Sequence, residues 1–319
     1  NGEDPVKQVL PYLSAVTAPA EPKKDGYVFS GWDRPLAASI LNDDLTYTAQ
    51  WDARTDTPYT VKHVRQNLGD TYPESGLLVA EETLTGTTLE LTQATSKSYP
   101  GFTAADVVQS EIAPDGSTVV MIRYARNRHD VVWKTDAKTD FTTTSFRYGE
   151  VITAPVPAPE KQGYVLAAWA GLIAGATMPD ENLAFSAQWQ PATDTAYAVR
   201  HLREALDGTD PIEENETLAG TTASLTTAKA KSYPGFTADP VSQSVIAANG
   251  STVITITYKR NTYTLNWLSE GVLFKTEQLK FESDVTIPDT EPVKKGYHLT
   301  GWGDVAKTMP ASDISYSAS

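Results

Sequence analysis

Lys97-Ser-Tyr-Pro-Gly-Phe-Thr-Ala104 occurs a second time, unchanged, as Lys231-Ser-Tyr-Pro-Gly-Phe-Thr-Ala238. Upstream of it, Glu82-Thr-Leu-Thr-Gly-Thr-Thr88 returns as Glu216-Thr-Leu-Ala-Gly-Thr-Thr222. Downstream, Ile112-Ala-Pro-Asp-Gly-Ser-Thr-Val119 returns as Ile246-Ala-Ala-Asn-Gly-Ser-Thr-Val253. All three pairs share one offset of 134 residues, which chance does not produce. A fixed period of this kind is the mark of small structural units stacked in tandem, each leaning on its neighbours.

A second repeat interleaves with the first. It begins Lys24-Asp-Gly-Tyr-Val-Phe-Ser-Gly-Trp32, Lys161-Gln-Gly-Tyr-Val-Leu-Ala-Ala-Trp169 and Lys295-Gly-Tyr-His-Leu-Thr-Gly-Trp302. It closes on Leu45-Thr-Tyr-Thr-Ala-Gln-Trp51, Leu183-Ala-Phe-Ser-Ala-Gln-Trp189 and Ile314-Ser-Tyr-Ser-Ala318. The order is A-B-A-B-A, with A modules at 1–52, 128–190 and 262–319 and B modules at 57–127 and 195–261. Asp130-Val-Val-Trp133 and Tyr263-Thr-Leu-Asn-Trp267 open the second and third A copies. The first copy lacks that opening and the third lacks the Gln-Trp ending. They therefore read as N-terminally and C-terminally truncated members of a longer array, with sheet edges left for a neighbour to fill.

Both modules read as β. Tyr59-Thr-Val-Lys-His-Val-Arg65 and Tyr197-Ala-Val-Arg-His-Leu-Arg203 alternate apolar and polar residues over much of their length, as half-buried strands do. Residues 118–124 and 252–258 are rich in β-branched side chains. Asp115-Gly116 and Asn249-Gly250, just before them, predict tight hairpin turns. Residues 92–97 and 226–231 have room for one short helical turn, which the Pro-Gly pairs at 100–101 and 234–235 would end. Prolines 155, 157, 159, 288 and 292 leave the A modules little room for helix. The A-to-B linkers are short and polar. The B-to-A joins are nearly absent, with Tyr124-Ala-Arg-Asn127 running into Asp130 and Tyr258-Lys-Arg-Asn261 into Tyr263. The expected fold is mainly β, a tandem array of small β-grasp-like modules forming an extended rod.

Composition sets limits. The chain is 40% hydrophobic, 9% aromatic and 21% charged, which supports folded cores. A formal net charge of −14 with no basic cluster disfavours nucleic acid and anionic membranes as partners. Without cysteine there are no disulfides, thiolate nucleophiles or cysteine-ligated zinc. No apolar run reaches transmembrane length and no signal peptide or sorting signal is visible, so secretion and anchoring elements are expected outside this sequence.

The Gly-Tyr-x-x-x-Gly-Trp core with its closing Ala-Gln-Trp strand resembles the Listeria–Bacteroides repeat, or internalin B-repeat. Ala168 stands in place of the usual glycine before Trp169. Module B, with its Tyr-x-Val opening strand, Gly-Thr-Thr segment and Tyr-Pro-Gly-Phe turn, is similar to mucin-binding-protein (MucBP-type) repeats. The first resemblance implies small ubiquitin-like β-grasp modules on bacterial surface proteins. The pair implies adhesion, and neither family carries a catalytic motif.

Candidate sites are few. His63 and His201 share one strand position with no acidic or hydroxyl partner at fixed spacing, and read as structural; His129 and His298 complete the set. The tryptophans at 32, 51, 133, 169, 189, 267 and 302 all fall in A modules. They read as core, against a sugar-stacking alternative. Asp52, Asp56 and Asp194 lie at the A-to-B junctions, where an Asx-turn accounts for Asp56 and Asp194 better than calcium, which needs six or more oxygens. Glu81, Glu82, Glu213, Glu214 and Glu216 read as solvated faces. The expectations are therefore no catalytic, cofactor or metal residues and no cofactor. The function expected is a non-enzymatic stalk or adhesive arm outside a bacterial cell, wall-attached through other regions. Glycans, surface proteins or further repeats are the partners. The rival reading makes module B a specific glycan or protein binder and module A its spacer.

Overall fold

The computed structural model describes residues 5–72 and 78–319. Among them there is no helix, and five separate sheets follow one another along the chain. Two compact units divide it, Asn1–Pro155 with Gly171–Ser186 and Val156–Ala170 with Ala187–Ser319.

The two B segments fold alike. In the first, β3 (Thr57–Arg65), β4 (Leu78–Gly86), β5 (Phe102–Ala104) and β6 (Val119–Arg126) form a sheet ordered β4-β3-β6-β5. In the second, β11 (Thr195–Arg203), β12 (Ile212–Gly220), β13 (Phe236–Ala238) and β14 (Val253–Arg260) are ordered β12-β11-β14-β13. The first and last strands of each lie side by side and parallel, Thr60–Arg65 beside Val119–Tyr124 and Ala198–Arg203 beside Val253–Tyr258. The period-two pattern does what it predicts: β14 alternates exposed and buried from Val253 to Arg260. Its inward residues Ile254, Ile256 and Tyr258 join Tyr197, Val199, Ala228 and Ile246 in one core. Each valine or isoleucine among them contributes about 1.5–3 kcal/mol by leaving water.

The A segments use the same plan. In the middle copy, β7 (Arg128–Lys134), β8 (Asp140–Arg147), β9 (Tyr164–Ala170) and β10 (Leu183–Pro191) are ordered β8-β7-β10-β9, with β10 parallel to β7. The last copy has β15 (Thr262–Ser269), β16 (Val272–Lys280) and β17 (Ile314–Ser317), ordered β16-β15-β17. Among its described residues the first copy has only the antiparallel pair β1 (Tyr27–Trp32) and β2 (Ala49–Ala53). It has no fully buried hydrophobic side chain among its described residues.

Two local expectations are corrected. Residues 92–97 and 226–231 form no helical turn. The Gln109 amide donates to the Ala94 carbonyl and its oxygen accepts from Ala94 N–H, and Gln243 does the same for Ala228. A side chain thus supplies the backbone partners that a helix would have supplied, and the segment stays extended. The Asp115-Gly116 and Asn249-Gly250 turns are real, with Gly116 and Gly250 at φ 74° and 72°. They close three residues back on Ala113 and Ala247 but do not join paired strands, because β6 and β14 pair with other strands.

Candidate functional site

The polar group of deepest burial is duplicated. His63 and His201 are fully buried on the inner faces of β3 and β11. His63 Nδ1 lies 2.7 Å from Tyr124 Oη, and Nε2 lies 3.0 Å from Glu82. His201 has Tyr258 at 2.7 Å and Glu216 at 3.1 Å. Each tyrosine oxygen also accepts from a backbone N–H, that of Lys97 or Lys231, at 2.8 Å. The donors sort themselves: the carboxylate accepts from Nε2–H, the phenol donates to Nδ1, and its oxygen takes the amide. With the proton on Nε2, each of these polar atoms has a partner. Tyr124 has its pKa raised, first by burial.

Glu81 and Glu213 are exposed, while Glu82, Glu214 and Glu216 are half-buried and held by partners. Lys97 and then His63 hold the Glu82 carboxyl below its ordinary range, and Lys231 acts first on Glu214. His201 is the leading cause for Glu216. The Arg200 fork, bidentate at 2.9 and 2.8 Å, brings Glu213 down to about 2. Tyr233, desolvated and donating to Glu214, is pushed up to about 12. Glu214, Glu216, Lys231 and Tyr233 form a polar lattice on the histidine's side of the sheet, while the Arg200–Glu213 pair lies on the opposite face. The histidine's partners are missed from the sequence because their spacing differs. Tyr124 and Tyr258 stand 61 and 57 residues on, and Glu82 and Glu216 stand 19 and 15. The loop after the opening strand absorbs the difference. The glutamate that heads the repeated Glu-Thr-Leu-x-Gly-Thr-Thr motif was the available signal.

The junctions are equally duplicated. From A to B, Gly26 O accepts from Arg54 N–H at 2.9 Å, and Arg54 O accepts from Thr88 N–H at 2.9 Å. At the second junction the same chain of bonds runs through Gly163, Ala192 and Thr222. The Thr88 hydroxyl donates to Gly26 O at 2.7 Å, so Thr57, 2.7 Å away, donates to Thr88. Gly26 and Gly163, at φ 74° and 73°, lie against Pro114 and Ala248 so closely that a Cβ would collide. From B to A, Arg126 donates to Gln66 O at 2.9 Å and to Tyr148 O at 2.8 Å. Arg260 donates to Glu204 O at 2.8 Å and to Phe281 O at 2.9 Å. The Asn127 and Asn261 carbonyls accept from Tyr148 and Phe281 N–H.

The remaining candidates are placed as follows. His129 contacts Asp180 at 2.8 Å, with Asn127 Nδ2 and Gly101 N–H on the same carboxylate, and their hydrogen bonds depress its pKa, Asn127 most. His298 is exposed. Asp56 is gripped by Arg54 at 2.8 and 2.9 Å, so an ion pair holds its carboxylate, while Asp52 and Asp194 are exposed. Among the described residues no three His, Asp or Glu side chains group as a metal would need. Trp133, Trp169, Trp267 and Trp302 are buried. Trp32, Trp51 and Trp189 are half-buried. Lys24 sits 3.9 Å over the Tyr27 ring and 5.9 Å from Trp51, and Lys161 sits 4.5 Å over Tyr164 and 5.8 Å from Trp189.

Residues 1–63 and 129–197 match the family model of the Listeria-Bacteroides repeat domain. No curated protein matches the chain. The two matched stretches hold the first two Lys-Tyr-Trp clusters and end within β11 and near the end of β3, so they include Gly26, Gly163 and the threonines Thr57 and Thr195. The Listeria-Bacteroides repeat match supports a repeat region of a bacterial surface protein.

Proposed function

We propose that this chain is a non-enzymatic repeat region of a bacterial cell-surface protein, working as a stalk or adhesive arm that is wall-attached through other parts of its parent. The observation that carries this reading is the duplication of the junctions. A guanidinium, buried at Arg260 and half-buried at Arg126, fastens the end of each B segment to two carbonyls, one on each side of the join. Such joins favour fixed reach over hinge motion, because the arginine fork is satisfied in only one geometry. The B segments keep their resemblance to MucBP-type repeats, and glycans or proteins of a facing surface are the partners that resemblance suggests. A net charge of −14 suits a solvated projection.

Small-angle scattering on the whole chain tests the reach. A single globule of this length has a radius of gyration of about 20 Å, whereas five modules of about 28 Å laid end to end give about 40 Å. The larger value is expected. The smaller one would remove the stalk.

A further inference from the structure

We propose that the repeat is built to bear tension, because the chain enters and leaves each complete sheet through two neighbouring parallel strands that a pull loads in shear. Tension enters the first B sheet through β3 and leaves through β6. These strands are parallel partners over Thr60–Arg65 and Val119–Tyr124. Parallel strands place the start of one and the end of the other at opposite ends of the ladder. Pulling them apart slides one strand along the other and strains all their hydrogen bonds together.

The same arrangement recurs in every later sheet. In the second B sheet β11 and β14 are parallel over six register pairs. In the middle A sheet β7 and β10 share four, Val131–Lys134 with Leu183–Ser186. In the last A sheet β15 and β17 share Leu265–Leu268 with Ile314–Ser317. The hairpin partners β4, β8, β12 and β16 lie off this path. One residue alone, Asn127 or Asn261, separates β6 from β7 and β14 from β15, so the pull passes from central strand to central strand. Arg126 and Arg260 clamp those points.

The first sheet supplies the contrast. There β1 and β2 are antiparallel, and Tyr27 pairs with Ala53, so the strand's start and its partner's end sit together. A pull through that pair opens it one bond at a time. The stalk reading supplies only the reason why tension would matter; the shear geometry stands without it.

The absence of cysteine allows a direct test on the whole chain, since introduced cysteines are the sole thiol handles. Ala196, Val253 and Lys259 are exposed. Handles on A196C/K259C draw β11 and β14 along the ladder, and handles on A196C/V253C part the same strands from one end. Single-molecule pulling should open the second pair at about half the force of the first or less, because its bonds break in sequence. Equal forces would overturn the proposal. P58C/A125C against P58C/V119C repeats the comparison in the first B sheet, should a substitution at 196 disturb folding. Scattering and pulling fail independently: a compact chain with shear-resistant sheets defeats the stalk alone, and an extended chain with equal forces defeats this inference alone.

Discussion

The ring of Tyr148 occupies the space where a side chain on Gly101 would be. Phe281 stands in the same relation to Gly235. Both glycines sit at φ 78° and 77°, in the Pro-Gly turn of a B segment, and both rings follow β8 or β16 of the next A segment. The unchanged octapeptide that reveals the repeat thus carries the seat for the following module. Phe102 and Phe236 meet these rings edge-on at 5.8 Å.

Replacing Gly235 therefore carries two costs, where Gly271 carries one. Gly271 has φ 74° but open space around it. G271A should lose about 1 kcal/mol from the left-handed backbone alone. G235A should lose at least about 2 kcal/mol more, because the Phe281 ring must leave its seat. Urea unfolding of both variants measures the difference, and equal losses would show that the ring does not hold the join.

The buried histidine brace predicts coupled losses. Y258F removes the donor to His201 and the acceptor for Lys231 N–H, and should cost about 1–3 kcal/mol. Y124F should cost the same within error, since its partners are the same. Combining Y258F with H201L should cost less than the sum of the two, by a coupling of about 0.5–3 kcal/mol. Additive losses in a double-mutant cycle would mean that the two side chains act separately.

Arg260 is buried, and its fork reaches the carbonyls of Glu204 and Phe281 and the Glu282 carboxylate. Lysine keeps the charge but not the fork. R260K should raise hydrogen exchange at the Phe281 and Glu282 amides, whose acceptors are Asn261 O and Met309 O. Exchange at Ile254 and Ile256, inside the preceding core, should not change. Uniform acceleration would point to general destabilisation rather than a loosened join.

Asp180 gives the first B-to-A join a pH dependence. Its carboxyl lies below the ordinary 3.8, through Asn127 first and then His129. A depressed carboxylate stabilises the folded state above its unfolded pKa, and that contribution fades as pH falls through the lower folded value. The join should hold at neutral pH and weaken in acid below about pH 4. D180N should flatten this acid limb in a stability profile against pH, while the Arg260 join, where residue 311 is Ala, is unaffected by the change.

Much of this was legible in the residues. The offset of 134 located both B segments, alternation in 59–65 and 252–258 located their central strands, and the missing linker after Asn127 announced the direct passage from β6 to β7. These signals are local: period two follows from the pleat, and repetition is visible without coordinates. Other features left no such trace. Leu13, Gly149 and Glu282 all take positive φ, at 64°, 78° and 64°, and each donates its N–H to Ile40, Met178 or Met309 at 2.8 Å. Three unlike residues make one turn, because the bond from the distant segment fixes the backbone there and overrides what each would choose alone. The helical turn expected at 92–97 fails for a related reason, as Gln109 claims its backbone groups from 15 residues away. Sequence by itself determined the repeats, the strands and the glycine turns, since these depend on near neighbours. Only the tertiary structure decided that His63 meets Glu82 and Tyr124, and that the strands carrying the chain run parallel. Those pairings depend on which segments the crossover brings side by side, and no fixed spacing records that.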